Sequence, residues 1–246
     1  YGAQATLAFL QSHYQGQTDI VIAATACTGF SDLAPGALIN GIPVTRFTVE
    51  QAKRVVALID QGIGMASWPQ DLFDYQSRVY VRDFLLNMQF SPGDAIKAAN
   101  TLSTEQVLDQ LKRSGLRGRG GAGFPTWQKW QTAAETNLQQ KYVVCNADEG
   151  EPGTFKDRYL LENYFGALIE GMWICGHAIG ATQGFIYLRG EYAWLHDTLQ
   201  GQLANYRQNG LLGDTSHFGN PVSSTSAQTG FDIQIHIGAG AYICGE

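Results

Sequence analysis

Cysteine is scarce in this chain, with four in 246 residues at positions 27, 145, 175 and 244. None of them stand at C-x-x-C spacing, which excludes a disulfide framework of the secreted kind and leaves no metal site to read among them. Basic residues are few as well: 16 Lys and Arg against 22 Asp and Glu give a net charge of −6, with no basic cluster. A nucleic-acid footprint needs such a cluster and is set aside. Long apolar runs are also missing. The longest, from Ala167 to Ala181, is interrupted by Glu170 and His177 and falls short of the roughly 20 residues that a membrane-spanning helix requires. No basic start followed by an apolar stretch and a small-residue cleavage site opens the chain, so a reducing cytoplasm is the expected compartment. The first residue is Tyr1 and the last stretch is "GAGAYICGE", which reads as unfinished, so a fragment is expected.

What is present is apolar material enough for a core, in one large domain or two smaller ones. Residues 1–62 read as a small α/β unit. Apolar residues recur at helical spacing up to His13, "DIVIAATA" reads as a buried strand and "GALIN" as a second strand. "TVEQAKRVVALIDQ" reads as an amphipathic helix, with Thr48 as N-cap and Gln51 three residues on. Residues 63–93 read as a connector, and residues 94–246 as a second domain of alternating helices and strands. Helices are predicted over "STEQVLDQLKRS", "WQKWQTAAET", roughly Lys156 to Ile179, and "EYAWLHDTLQGQLANYRQNG", the last closed by Gly210. Strands are predicted over "KYVVCN", "GFIYLRG" and "FDIQIHI". Strands separated by helices imply a mostly parallel sheet. The polar stretch from Leu211 to Gly230 reads as a surface loop.

Two loops carry chemistry. "GLRGRGGAGFPTWQKW" places glycines at 115, 118, 120, 121 and 123 around Arg117 and Arg119, just ahead of a helix starting near Thr126. Dense glycine in a folded chain marks backbone that must approach a ligand closely or take positive φ. The spacing of Gly118, Gly120 and Gly123 fits G-x-G-x-x-G, but the run follows a helix and not a strand, so the simple dinucleotide context fails. A helix N-terminus beside two arginines still suits an anion, and a phosphate-bearing cofactor is the expected guest. A plain glycine-rich turn is the competing reading. The second loop, "CNADEGEPGTFKDR", crowds Asp148, Glu149 and Glu151 directly after a predicted strand. At the carboxyl end of a parallel strand these residues face the ligand crevice, where they accept hydrogen bonds from sugar hydroxyls or a ring edge. A solvated acidic turn is the alternative there.

Together with "YLRGEY" and "GAGAYICGE", these loops resemble the NADH-oxidising flavoprotein subunit of respiratory complex I and its relatives, the diaphorase subunits of NAD-reducing hydrogenases and of some NAD-dependent formate dehydrogenases. The resemblance covers about Leu102 to Glu246, with four long motifs in the family's order. It implies an α/β fold: a Rossmann-like FMN/NAD-binding sheet with helices, in which NADH stacks on FMN and hydride passes from nicotinamide to the flavin. Carried over residue by residue, Gly118, Arg119, Gly120, Gly121 and Lys129 wrap the FMN phosphate and ribityl chain. Asn146, Asp148 and Glu149 bond the ribityl chain and the flavin edge, Phe124 stacks on the NADH adenine, Glu151 and Tyr242 line the nicotinamide side, and Gly245 with Glu246 close the pocket. No acid or base is required, because the cofactor does the hard chemistry. The cysteines for a [4Fe–4S] cluster are expected beyond Glu246.

The chain departs from the family at Trp127, where glycine is usual. "CTGFSDLAPGALINGIPVTRFT" resembles the second half of the thioredoxin-like [2Fe–2S] ferredoxin-type domain that accompanies this flavoprotein, but Ser31 stands where a cysteine follows Cys27. Four cysteines are expected at such a cluster, so this unit is expected to lack it. A fused unit of this kind is closest in layout to the diaphorase subunit of an NAD-reducing hydrogenase. The expected partners are NAD(H), an iron–sulfur electron-transfer subunit and hydrogenase or formate dehydrogenase subunits. The rival from another class is a scaffold that has lost its cofactor. Cys145 and Cys175 read as core residues, His177 and His196 as core or surface residues and not ligands, and "EYAWLHDTL" as a packing face with Glu191 toward the site.

Overall fold

A computed structural model describes residues 2–81, 90–213 and 230–240. The first unit starts with helix α1, Ala3–His13, and continues through an antiparallel hairpin of β1, Ala37–Ile39, and β2, Ile42–Val44. Helix α2, Val49–Asp60, follows, and its cap is the one expected: the Thr48 hydroxyl accepts from the Gln51 amide at 3.5 Å. Val44, Phe47, Ala52 and Val55 form a core here that also takes in Trp68 and Leu72.

The strand expected over "DIVIAATA" does not form. Residues 19–26 have no ladder partner, Val21 is 89% exposed, and among the described residues β1 and β2 pair only with each other. An apolar run becomes a buried strand only where neighbouring strands flank it, and that context is missing here.

The second unit holds short α3, Asp94–Ala99, then α4, Thr104–Ser114, α5, Thr126–Glu135, β3, Tyr142–Ala147, α6, Lys156–Asn163, and α7, Phe165–Ile179. After these come β4, Gln183–Leu188, α8, His196–Gln208, and β5, Asp232–Ile237. The sheet order is β3-β4-β5 and every pairing is parallel, with Tyr142 beside Gln183 and Gln183 beside Asp232. Helix α4 starts in a full capping box between Ser103 and Gln106. Helix α7 is apolar on most of its surface and is correspondingly sunk in the core, with Phe165, Ile169 and Trp173 all at or below 2% exposure.

Glu170, which interrupts that apolar run, is buried because its carboxylate accepts from the amides of Gly93, Ala95 and Ile96 and from the Tyr206 hydroxyl. His177, for which the sequence leaves core and surface both open, is buried: it stacks on Trp173 and bonds the Leu102 carbonyl. The helix expected from Glu191 instead opens as a 3-10 turn, Gly190–Leu195, before α8. A Cβ at Gly190 would sit 2.8 Å from the Gly238 carbonyl, so glycine is required at the start of that turn. No helix among the described residues is long and apolar enough to cross a membrane.

Candidate functional site

All three strands deliver a sequence motif to the same carboxyl edge. Strand β3 runs into Asp148–Phe155, β4 into Arg189–Tyr192, and β5 into Gly238–Gly240, with Gly238 donating to the Leu188 carbonyl at 2.7 Å. This edge is where open α/β sheets take their ligands. Tyr242, Gly245 and Glu246 continue the third motif and lie outside the described residues.

The acidic loop sorts its carboxylates by environment. Asn146 is exposed at the end of β3, and its Oδ1 accepts from the Asp148 amide at 3.0 Å. Asp148 Oδ2 is buried without a hydrogen-bond partner, although burying such an oxygen costs about 1–3 kcal/mol unless something bonds it. Glu149 is only 5% exposed and fully engaged. Its carboxylate accepts from the Asp157 and Arg158 amides at the start of α6 and from the Tyr192 hydroxyl at 2.8 Å, while its carbonyl accepts from Arg189 Nη1 at 2.7 Å. Glu151 is exposed on a turn in which Thr154 bonds back to its carbonyl. Nearby, burial, with Glu149's charge adding to it, pushes the Asp157 carboxyl above its usual range despite the Lys156 ion pair. The Cys145 thiol is pushed up to about 11 by burial and then by Asp157, and Cys175 to about 12 by burial.

The glycine loop is a hoop tied at its base. Arg117 and Pro125 form an antiparallel bridge, Gly118 donates to the Phe124 carbonyl at 2.9 Å, Thr126 donates to the Leu116 carbonyl at 3.1 Å, and Arg117 Nη1 bonds the Gly123 carbonyl at 2.9 Å. Arg117 thus serves the loop itself, whereas Arg119 and, on α5, Lys129 are exposed. Phe124 is 54% exposed. A Cβ built at Gly120 or Gly121 meets no heavy atom within 4 Å among the described residues, so nothing among them fills that space. Trp127 lies under the Lys112 ammonium, 4.8 Å from its ring centre, on the side toward α4.

The family model described as the Nuo51 FMN-binding domain matches residues 111–246. The chain belongs to that FMN-binding domain family. Among relatives of this Nuo51-type domain, the alpha subunit of the NAD-reducing hydrogenase HoxS of Cupriavidus necator is 39% identical over 234 residues, covering 90% of this chain and 38% of that one. An NADH-quinone oxidoreductase subunit of Escherichia coli is 43% identical over 155 residues, 62% of this chain and 33% of that one. A solved NAD+-reducing [NiFe]-hydrogenase in the H2-reduced state superposes on the whole chain with a TM-score of 0.84 at 33% identity, the chain covering 42% of it. The chain therefore spans about two fifths or less of the length of these Nuo51-type relatives.

Sequence reasoning gave no role to two buried arginines beside the Nuo51-type loops. Arg158, wholly buried, bonds the Gly29 carbonyl, Asp32 and Glu162 and stacks on Phe30. Arg189 forks onto both oxygens of Glu191 and reaches the Cys27 carbonyl. Their signal was an arginine set among aromatic and apolar residues, "FKDRYLL" and "IYLRGEY". Burial alone would raise the Cys27 thiol, but the amides of Gly153 and Gly29, the Ser31 hydroxyl and the charge of Arg189 outweigh it and hold the thiol below its usual value.

Proposed function

We propose that this chain is the FMN- and NAD(H)-binding module of a diaphorase, closest to that of an NAD-reducing hydrogenase, exchanging electrons between NAD(H) and iron–sulfur clusters of partner subunits in the cytoplasm. The observation that carries the reading is Asp148 Oδ2, buried and unpartnered at the carboxyl edge of a parallel sheet. Such an oxygen waits for a donor, and a ribityl hydroxyl or a flavin ring N–H supplies one.

The other residues fit the same guest. Gly118, Gly120 and Gly121 leave bare backbone for a phosphate and ribityl chain, and Arg119 and Lys129 supply the positive charge an anion needs. Asn146 and Asp148 accept from the ribityl chain and ring edge, Phe124 offers a ring face to adenine, and Glu151 addresses the nicotinamide side. Tyr242, Gly245 and Glu246 complete the pocket. When bound, FMN supplies the two-electron chemistry; the chain binds, orients and shields it.

The hydrogenase layout is supported by coverage: the HoxS alpha relative matches 90% of the chain, first unit included, while the Escherichia coli relative matches 62%. We read the first unit as a partial thioredoxin-like domain. Its donor set does not fit a [2Fe–2S] cluster, since Cys27 Sγ faces the Ser31 hydroxyl at 3.4 Å where two thiolates are needed.

The test is FMN and iron content of the full-length protein purified with its partners, followed by NADH oxidation with a dye acceptor and then H2 or formate as donor. About one FMN per chain with dye reduction is expected, and H2 is expected to serve as donor. A colourless, inactive protein that added FMN cannot revive would establish a scaffold. Glu151→Gln is expected to raise the KM for NADH roughly tenfold while leaving FMN bound, the scale of one charged hydrogen bond. Unchanged NADH kinetics would remove Glu151 from the nicotinamide side.

A further inference from the structure

Four ties run from the segment Cys27–Asp32 of the first unit to the acidic loop. The Cys27 carbonyl accepts from Arg189, whose Nη1 holds the Glu149 carbonyl. The Gly153 amide lies near the Cys27 thiol and helps to hold it below its usual value. Gly29, at φ +77°, lies so close to Tyr192 that a Cβ there would fall 2.2 Å from the phenol oxygen, and that phenol donates to Glu149 Oε2. The Gly29 carbonyl and Asp32 hold the guanidinium of Arg158, whose own amide donates to Glu149 Oε2. Glu149 is fixed at carbonyl and carboxylate alike, each through a group that also touches the first unit.

We propose that the segment Cys27–Asp32 is a positioning element of the NAD(H) site, acting through Arg189 and Tyr192 on Glu149 and hence on Glu151. The proposal rests on reading Glu151, in the acidic loop, as part of the NAD(H) site. Arg189 is the principal positioning residue. Its planar fork is satisfied at once by Glu191, Glu149 and Cys27, and a guanidinium with three fixed partners allows none of them to shift without leaving a buried donor unpaired. Glu151 follows Glu149 by two residues, at most about 7 Å of chain, so a displacement at Glu149 arrives there almost undiminished. A unit without a cluster thereby keeps a task in the reaction: it sets the carboxylate that meets the nicotinamide.

The test uses the full-length holoprotein with Arg189→Met, Arg189→Lys, Tyr192→Phe and Gly29→Ala, reading FMN per chain, melting temperature, and KM and kcat for NADH with a dye. Near-stoichiometric FMN is expected in all four, with KM for NADH rising roughly tenfold in Arg189→Met and kcat moving less, the scale of a small misplacement of a binding group. Arg189→Lys is expected to recover part of the loss, and Gly29→Ala to reproduce the KM effect of Tyr192→Phe. If Arg189→Met does not fold, the other three carry the test. Flavin-loaded variants with the parent KM would overturn the proposal, as would a lowered melting temperature with KM and kcat unmoved, which assigns the ties to stability alone. A parent protein without FMN or NADH oxidation is a different failure, that of the underlying reading, and is seen before any variant is made.

Discussion

Gly120→Val is expected to weaken FMN binding about a hundredfold and leave the fold intact. The two halves of that expectation come from one observation: a Cβ at residue 120 meets no heavy atom of the described residues within 4 Å, and the residue does not take positive φ. The described residues therefore have no use for a glycine there, and substitution should change stability by no more than about 0.5 kcal/mol, as at other open surface positions. A ligand threaded through the hoop does have a use for it. A branched side chain in that path costs about 3 kcal/mol, the upper end for bulk forced into a packed site, and weakens binding by about a hundredfold. Gly121 makes the contrast, because its φ of +116° penalises any side chain with or without a ligand. The FMN dissociation constant and urea unfolding of the apo form, measured together, decide the matter: an unchanged dissociation constant in Gly120→Val would show that the loop does not hold the cofactor.

Arg158→Met should lower stability by about 3–5 kcal/mol, the cost of stranding buried carboxylates by removing their shared cation. Asp32 and Glu162, with side chains 7% and 15% exposed, both face the Arg158 guanidinium, at 3.0 and 3.2 Å. Methionine replaces much of the aliphatic stem but neither the charge nor the guanidinium that lies over the Phe30 ring, 4.1 Å from its centre. The surroundings offer Glu162 little relief: the Tyr75 hydroxyl already donates to it, and burial followed by that carboxylate pushes the Tyr75 phenol above its ordinary range. The urea midpoint at constant m-value reports the loss. A change under about 1 kcal/mol would mean that water reaches both carboxylates, a value appropriate to exposed ion pairs.

Much of the second unit was legible because its signals are local. Ser103 and Gln106 announce α4, the apolar runs of "KYVVCN" and "GFIYLRG" announce two strands, and Gly210 closes α8 at φ +65°. Residues 19–26 were misread because a buried strand is defined by its neighbours and not by its own apolar content. The carboxylates of the acidic loop show the same boundary between local and distant information. Three acids within four residues signal a site, but the division of labour among them depends on Tyr192, Arg189 and the first turn of α6, 8 to 43 residues away. The arginines that join the two units were out of reach for the same reason, since Arg158 and Gly29 lie 129 residues apart and Arg189 and Cys27 162 apart.

The hoop at residues 118–124 has a thermodynamic consequence. Ordering a free backbone residue costs about 1–2 kcal/mol, so a slack loop of seven glycine-rich residues would surrender much of any ligand's contact energy to its own immobilisation. Here the bridge at Arg117 and Pro125 and the Arg117 guanidinium on the Gly123 carbonyl hold the two ends before a ligand arrives. That entropy is lost during folding and charged to the stability of the domain, not to the affinity of the site. A glycine-dense segment of this design can bind tightly because it is bare without being loose.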